Sequence, residues 1–306
     1  MRATITPAAG AVTSVQVNRG SPWAKGLVAW YPMCDALSWG TGIVHDYSGA
    51  QQSATMTDAL GTGTYDPQWT TAAPWGDHIQ DSRPSLYFDD ANRCLIDGRG
   101  EFQSLQCPMT ASGWYLPAGN VHGWLWSQYE HSIDGRLGKG LTVTNSRKLE
   151  WYGTKGSDDR YQYKTSTMSF PQWIEGGRFD NWVFWCYSVS GSLAAPELTL
   201  TLNGEVETFS LVAMSANIDP DVVVAIGGST RGPSDFETCR GYQRDLRFWN
   251  RSMDAAEHQA LRHETITGSL GSLAQQYRPM PRAAEGAAAT ALPAAMNTYQ
   301  QMMRGS

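Results

Sequence analysis

Charged side chains are scarce in this sequence and are not gathered into runs. Asp, Glu, Lys and Arg make up 17% of its 306 residues, and the formal net charge is −6. A nucleic-acid partner needs clustered Lys and Arg to neutralise phosphates, and no such cluster occurs. The sequence therefore predicts no nucleic-acid binding.

Long apolar runs are also missing. The sequence has no window of 18 consecutive apolar residues, and residues 1–7 lack the apolar stretch of a secretory signal. We therefore expect no membrane-spanning helix, no membrane partner and no export by the usual leader.

Cysteine and histidine spacings typical of metal sites are absent. No CxxC occurs, and His258 and His263 are five residues apart, which does not fit a metal-binding pair on a helix. An odd number of cysteines without a leader predicts free, buried thiols, with a disulfide framework as the alternative. The five cysteines are Cys34, Cys94, Cys107, Cys186 and Cys239.

Aromatic residues and turn formers are abundant. Phe, Trp and Tyr reach 11% of the chain, which also has 31 Gly and 15 Pro. Short apolar runs separated by such turn residues are typical of an all-β sandwich or barrel. Residues 198–202 alternate Leu with Thr, and the following Asn203 and Gly204 predict a type I′ hairpin turn. One helix is predicted over residues 253–263, with Ser252 as its N-cap.

The two ends differ from the middle of the chain. We predict an N-terminal arm at 1–22, one domain at 23–265 and an extended Ala/Pro-rich tail at 266–306, because neither end carries enough apolar residues for its own core. The arm is either a loose leader or a strand that pairs with another subunit or with the sandwich. The tail is either a linker or a limb that lies on a partner. The residues expected to make assembly contacts are Val12, Val15, Val17, Tyr277, Met280, Tyr299, Met302 and Met303.

Several motifs follow one another in a familiar order. Gly-Leu-Val-Ala-Trp-Tyr-Pro-Met at 26–33 comes first, Asp-Tyr-Ser-Gly at 46–49 follows, and Gly-Tyr-Gln-Arg-Asp-Leu-Arg-Phe-Trp at 241–249 closes the series. In this order they resemble the laminin-G-like, concanavalin A-like family. The resemblance implies an antiparallel two-sheet jelly-roll sandwich with one short C-terminal helix. That fold hosts lectins, adhesion modules, glycosidases and structural domains, so it leaves function open.

The segment at 18–28 carries a second resemblance. Asn-Arg-Gly-Ser-Pro-Trp-Ala-Lys-Gly-Leu-Val, directly after a short arm, looks like jelly-roll proteins encoded among the structural genes of tailed bacteriophages. The resemblance implies a non-enzymatic virion protein that decorates or cements a capsid, made in the host cytoplasm. Its partners would be the major capsid protein or other virion subunits, and it would form a homo-oligomer such as a trimer.

Catalysis is not expected. A glycosidase on this fold needs two carboxylates across a cleft, and the nearest pattern is Glu205 and Glu207 just after a hairpin turn, where alternating acids usually face water. No cofactor is expected except calcium, for which Asp46, Asp89, Asp90 and Asn92, together with Asp97, offer hard oxygen ligands. The alternative is that these residues stabilise turns.

A run of aromatic residues in the middle of the chain offers an alternative function. Planar rings stack on sugar faces, so a carbohydrate-binding module for host glycans, on a phage fibre or a similar adhesin, is the second hypothesis. Core packing is the competing explanation for each ring. Trp182 and Trp185 are three residues apart and must face opposite ways, so one of them should be exposed or covered by a partner. The glycan-binding candidates are Trp124, Trp126, Tyr129, Trp151 and Tyr152.

Overall fold

A computed structural model describes residues 15–33, 42–50, 52–58, 68–70, 85–88, 92–96, 105–117, 122–128, 138–155, 161–170, 182–215, 223–228, 239–265 and 271–276. Within these ranges the chain forms mostly strands, with the helix α1 at Ala255–Thr265 and 3₁₀ turns at Pro22–Ala24 and Gly271–Leu273. The strands are β1 Val15–Val17, β2 Leu27–Tyr31, β3 Ile43–Val44, β4 Ala54–Asp58, β5 Gln68–Thr70, β6 Ser85–Phe88, β7 Asn92–Ile96, β8 Met109–Pro117, β9 Gly123–Gln128, β10 Lys139–Val143, β11 Lys148–Thr154, β12 Tyr161–Ser169, β13 Val183–Ser192, β14 Ala195–Leu202, β15 Glu205–Ser210, β16 Val224–Ile226, β17 Gly241–Trp249 and β18 Ala274–Gln276.

The strands form two large antiparallel sheets. The front sheet has the order β12-β11-β10-β9-β16-β7-β4-β3, and the back sheet has the order β15-β14-β13-β8-β17-β6-β5, with β2 pairing on β17. The motifs that open and close the predicted domain lie side by side, since Trp30 is paired with Arg247. The architecture confirms the predicted all-β, two-sheet sandwich with one short helix.

The main core lies between the two sheets. Trp126 and Trp151 of the front sheet meet Trp185 and Tyr187 of the back sheet, and all four are at most 1% exposed. The rings of Trp126 and Tyr187 are stacked, with centroids 6.3 Å apart. Burying a side chain of this size removes roughly 150–250 Å² from water, so the layer between the sheets holds the sandwich together.

The β14–β15 hairpin matches its sequence pattern. Leu198 and Leu200 face the main core and are fully buried. Asn203 and Gly204 have φ values of 51° and 102°, both in the left-handed region that a type I′ turn requires. The predicted hairpin turn is confirmed.

A second apolar layer covers the outer face of the back sheet. Trp182 lies there and is only 5% exposed, while Trp185 faces the main core. The two rings do face opposite ways, but the expectation that one is exposed or covered by a partner is wrong, because residues of the same chain cover Trp182. The layer contains Trp23, Leu27, Trp30, Trp114, Leu116, Trp182, Phe184, Cys186, Trp249, Met253, Leu261 and Leu273.

Helix α1 begins later than predicted. The N-cap is Asp254 rather than Ser252: the Asp254 carboxylate accepts the Glu257 backbone N–H at 2.8 Å, and the Glu257 carboxylate accepts the Asp254 N–H at 3.1 Å. This reciprocal pair is a capping box, with the acidic residue three positions after the cap. It starts the helix at Ala255.

The two ends of the described fold are joined in a clasp, formed by β1, β18 and the two 3₁₀ turns. Val15 is paired with Gln276 and Val17 with Ala274, while the Asn18 N–H donates to the Leu273 carbonyl at 2.7 Å. Val17 also packs against the second apolar layer. Residues 15–22 and 271–276, which belong to the predicted arm and tail, therefore lie on the sandwich, and for the arm this is one of the predicted alternatives.

Two further findings concern the described ranges. None of their helices is long and apolar enough to span a membrane. Cys94, Cys107, Cys186 and Cys239 are free thiols, and Cys34 lies outside the described residues.

Candidate functional site

An aromatic cluster lies on the outer face of the front sheet, near the edge formed by β12. Tyr152 is its centre, and its ring centroid is 4.9 Å from Trp124, 5.5 Å from Tyr161 and 5.8 Å from Tyr163. Tyr161 is 41% exposed and Tyr163 is 57% exposed. Together with Glu150 and Thr165, these residues are called the tyrosine patch below.

Strand alternation places most of the patch on one face. On β11, Leu149 and Trp151 face the main core, so Glu150 and Tyr152 face outward. Tyr163 of β12 is directly opposite Tyr152 in the antiparallel register. Directly opposite side chains are 4.5–5.5 Å apart at their β-carbons, so the two tyrosines form a cross-strand pair.

A β-bulge adds Trp124 to the patch. On β10, Leu141 is paired with Trp126 and Thr142 with Trp124, so the intervening Leu125 has no paired residue on that strand. The extra residue reverses the alternation, so that Trp126 faces the core and Trp124 faces outward.

The Trp124 ring lies over a residue without a side chain. A β-carbon at position 140 would be 2.8 Å from the Trp124 ring, which is closer than a β-carbon and a ring carbon can approach. Because Gly140 is paired with Tyr152, Trp124 reaches Tyr152 across the bare backbone of β10. Trp124 is only 6% exposed and forms the floor of the patch beside the exposed tyrosines.

One carboxylate organises the polar side of the patch. Glu150 is half-buried, and its Oε1 accepts the Tyr152 hydroxyl at 2.5 Å. Its Oε2 accepts the hydroxyl of Thr165, which is opposite Glu150 on β12. The carboxylate fixes the orientation of Tyr152 and remains at the surface, where its other lone pairs are open to a ligand.

The glycan-binding candidates divide between two environments. Tyr152 and Trp124 belong to the patch, whereas Trp126 and Trp151 fill the main core and are at most 1% exposed. For those two, core packing was the better interpretation. Tyr129 lies outside the described residues. Tyr161 and Tyr163, not among the candidates, are the most exposed aromatic residues of the described ranges.

Of the calcium candidates, Asp46 is the one whose side chain the structure describes. Asp46 Oδ1 accepts the backbone N–H of Trp30 at 2.9 Å and of Ser48 at 2.8 Å, and its Oδ2 accepts the Gln52 N–H at 3.1 Å. These bonds hold the turn that follows β3, so Asp46 stabilises a turn, as the alternative interpretation stated. Asp89, Asp90 and Asp97 lie outside the described residues, and Asn92 is described only as the first residue of β7. Across the described ranges, no group of three or more His, Cys, Asp or Glu is placed to hold a metal ion.

The paired acids of β15 have different surroundings. Glu205 is exposed, as predicted, but Glu207 is half-buried and does not simply face water. Its carboxylate accepts the backbone N–H of Thr167 on β12 at 3.0 Å from both oxygens, as well as the Thr167 hydroxyl. Glu207 thus covers a polar group on an edge strand, which is a common protection against pairing with another chain.

A serine–histidine contact occurs, but deep inside the protein. His258 of α1 is fully buried, with its Nε2 2.8 Å from the Ser188 hydroxyl and its Nδ1 2.7 Å from the Thr201 hydroxyl. Burial lowers the pKa of His258 from 6.5 to about 4, against the opposite effects of Glu257 and Asp254. The imidazole is therefore neutral at pH 7 and fastens α1 to the back sheet.

The predicted assembly residues lie mostly beyond the described ranges. Val15 and Val17 form β1 and pair with β18 of the same chain, which is the alternative in which the arm joins the sandwich. The residues outside the described ranges are Val12, Tyr277, Met280, Tyr299, Met302 and Met303.

Comparisons with known proteins concern the fold. Neither a protein-family model nor a curated protein sequence matches the chain. Among solved structures, the receptor-binding domain of botulinum neurotoxin C/D mosaic serotype matches with a TM-score of 0.50 and 12% identity, over 79% of this chain and 52% of that one. The binding domain of botulinum neurotoxin DC in complex with rat synaptotagmin II matches with a TM-score of 0.50 and 12% identity, over 78% of this chain and 51% of that one. The chain spans about half the length of these domains, and at this identity the likeness is one of fold.

Proposed function

We propose that this protein is a non-catalytic carbohydrate-binding module whose ligand lies on the tyrosine patch. The observation that carries the proposal is the exposure of Tyr161 and Tyr163 beside the half-buried Tyr152. Nearly every other large apolar side chain of the described ranges is covered, including the tryptophans on the outer face of the back sheet. Adjacent exposed aromatic rings are typical of an interaction surface.

The chemistry of the patch fits a sugar. The C–H groups of a pyranose face are apolar and carry a partial positive charge, so they pack against the electron-rich face of a tyrosine ring. Tyrosine has only two side-chain torsions, which keeps the entropic cost of binding low. Glu150, next to Tyr152, accepts hydrogen bonds from sugar hydroxyls at the edge of the ring.

A non-catalytic role is consistent with the neighbours in fold. The solved structures that share the fold are described as receptor-binding or binding domains. The likeness extends only to the fold, so the argument for a ligand rests on the patch itself.

Binding of the full-length protein to a panel of immobilised oligosaccharides tests the proposal. Wild-type protein should bind at least one saccharide saturably. Tyr163→Ala and Tyr161→Ala should each weaken that binding about tenfold, which corresponds to about 1.4 kcal/mol.

Ile43→Ala is the matched control, because Ile43 is 37% exposed at the opposite edge of the same sheet. It should bind like wild type. Equal binding by Tyr163→Ala and wild type, or no binding to any saccharide, would contradict the proposal.

Attachment to a bacteriophage particle is the second candidate. The described fold starts at Val15 and ends at Gln276, which are paired, and the clasp lies on the outer face of the back sheet, away from the patch. A subunit held through residues 1–14 and 277–306 would therefore present the patch outward. Mixing the purified protein with capsids that lack it tests this: saturable binding supports a capsid role, and sugar binding without capsid binding contradicts it.

A further inference from the structure

We propose that the ligand of the tyrosine patch is a saccharide without acidic groups, bound through its hydroxyl or amino hydrogens. This inference rests on the proposed carbohydrate-binding function and specifies its ligand. It follows from the direction of the hydrogen bonds around Glu150.

The hydroxyl hydrogens beside Glu150 are already used. A carboxylate is acceptor-only, so Tyr152 must donate to Oε1 and Thr165 must donate to Oε2. Each of these hydroxyls has one hydrogen. The hydroxyl oxygens of Tyr152 and Thr165 therefore have only lone pairs left, and they can act towards a ligand only as acceptors.

The next strand of the sheet offers a ligand nothing more. Thr142 of β10 is paired with Glu150, but it is only 4% exposed and its hydroxyl donates to the Gly123 carbonyl at 2.9 Å. The row that a ligand meets therefore consists of acceptors on β11 and β12: the Glu150 carboxylate and the hydroxyl oxygens of Tyr152 and Thr165.

An acceptor-only row selects the ligand by hydrogen bonding and by charge. Sugar hydroxyls and ammonium groups donate to such a row. A sugar carboxylate, sulfate or phosphate has no hydrogen to donate and would meet the negative charge of Glu150, which disfavours its binding. Lys148 is also on the outer face of β11, two residues from Glu150 and four from Tyr152, so it lies on the side of the carboxylate away from the tyrosines. Glu150 is the charged group that bonds to the patch tyrosine.

The two exposed tyrosines complete the site. Tyr161 and Tyr163 have ring centroids 6.5 Å apart, next to Tyr152. A sugar ring lying on these tyrosines has its edge near Glu150. Stacking would then supply affinity, and Glu150 would supply selectivity against anions.

Calorimetric titration of wild-type protein with matched oligosaccharide pairs tests the inference. Each pair consists of one neutral oligosaccharide and the same oligosaccharide carrying a sialic acid or a sulfate. The neutral member should bind at least tenfold more tightly. Glu150→Gln should reduce this preference to less than threefold, because the amide removes the charge and supplies N–H donors.

A control variant and an unfolding measurement keep the test independent of folding. Glu197→Gln, an exposed glutamate of β14 on the back sheet, should leave both affinities unchanged. Each variant is compared with wild type by its thermal unfolding transition.

The outcomes separate the two proposals. Tighter binding of the acidic member that is lost in Tyr163→Ala would overturn the ligand class and leave the patch as the binding site. Binding of either member that is indifferent to Tyr163→Ala would overturn both proposals.

Discussion

Aromatic residues on the two outer faces of the sandwich differ in their exposure to solvent. On the back sheet, Trp30, Trp114 and Trp249 are at most 3% exposed, in the layer covered by α1 and the clasp. On the front sheet, no described helix or strand covers Tyr161 and Tyr163, which are 41% and 57% exposed. A helix and both ends of the described fold thus cover the outer face of the back sheet.

The residue types agree with this difference. Tryptophans with one polar atom suit a sealed layer: the Trp249 Nε1–H donates to the Trp23 carbonyl at 2.7 Å, and the Trp30 Nε1–H donates to Asp245 at 2.8 Å. The exposed rings are tyrosines, whose hydroxyls remain in water. We conclude that the back face is structural and that the front face near β12 is available for recognition.

Removing the carboxylate of Asp245 should damage the sealed face most. Asp245 binds Arg247 through two hydrogen bonds of 2.8 and 2.7 Å, and Arg247 is fully buried. Asp245→Ala leaves that guanidinium without its carboxylate, so the free energy of unfolding should fall by about 3–5 kcal/mol. Urea denaturation measures this change, and a loss below about 1 kcal/mol would contradict the importance of the pair.

Acid should loosen the same face through His258. The pKa of His258 is about 4 in the folded protein and 6.5 for an ordinary histidine, as in the unfolded chain. The unfolded chain therefore binds the proton more tightly. The stabilisation is complete above pH 6.5 and is lost as the pH falls towards 4, by about 3 kcal/mol in all. His258→Asn should unfold with a flatter pH dependence over that window, as measured by denaturation at several pH values. An unchanged slope would contradict this assignment.

Truncation should distinguish the clasp from the segments beyond it. Ending the chain after residue 276 should leave the melting temperature unchanged. Ending it after residue 265 also removes Leu273, which is fully buried, and should cost about 2–3 kcal/mol. Differential scanning calorimetry of both variants checks this, and equal melting temperatures would show that the clasp does not stabilise the sandwich.

The smallest effect on stability is expected at the patch. Tyr163→Ala should change the free energy of unfolding by no more than about 0.5 kcal/mol, because the ring is largely in water. A loss above about 2 kcal/mol would show that Tyr163 is a packing residue instead.

Sequence reasoning predicted the sandwich because its signals are local. Alternation on β14 and the turn at Asn203 and Gly204 determine a hairpin without reference to the rest of the chain. The opposite orientation of Trp182 and Trp185 followed from the same alternation. The burial of Trp182 did not, since the layer that covers it includes Leu261 of α1 and Leu273, which are distant along the chain.

The patch was only half predictable. Lys148, Glu150 and Tyr152 alternate with Leu149 and Trp151, so the sequence contains the signal that Tyr152 faces outward and Trp151 inward. Trp124 and Trp126 are two residues apart, so regular alternation would place both on the same face of the sheet. Only the bulge at Leu125 separates them, and the sequence gives no sign of that bulge.

The central claim is that sugars bind at Tyr161 and Tyr163. The most direct test is fluorine NMR of protein labelled with 3-fluorotyrosine, titrated with an oligosaccharide that the protein binds and assigned with single Tyr→Phe variants. The signals of Tyr161 and Tyr163 should shift saturably, while those of the buried Tyr31 and Tyr115 should stay in place. Saturable binding that leaves the Tyr161 and Tyr163 signals unmoved would contradict the account.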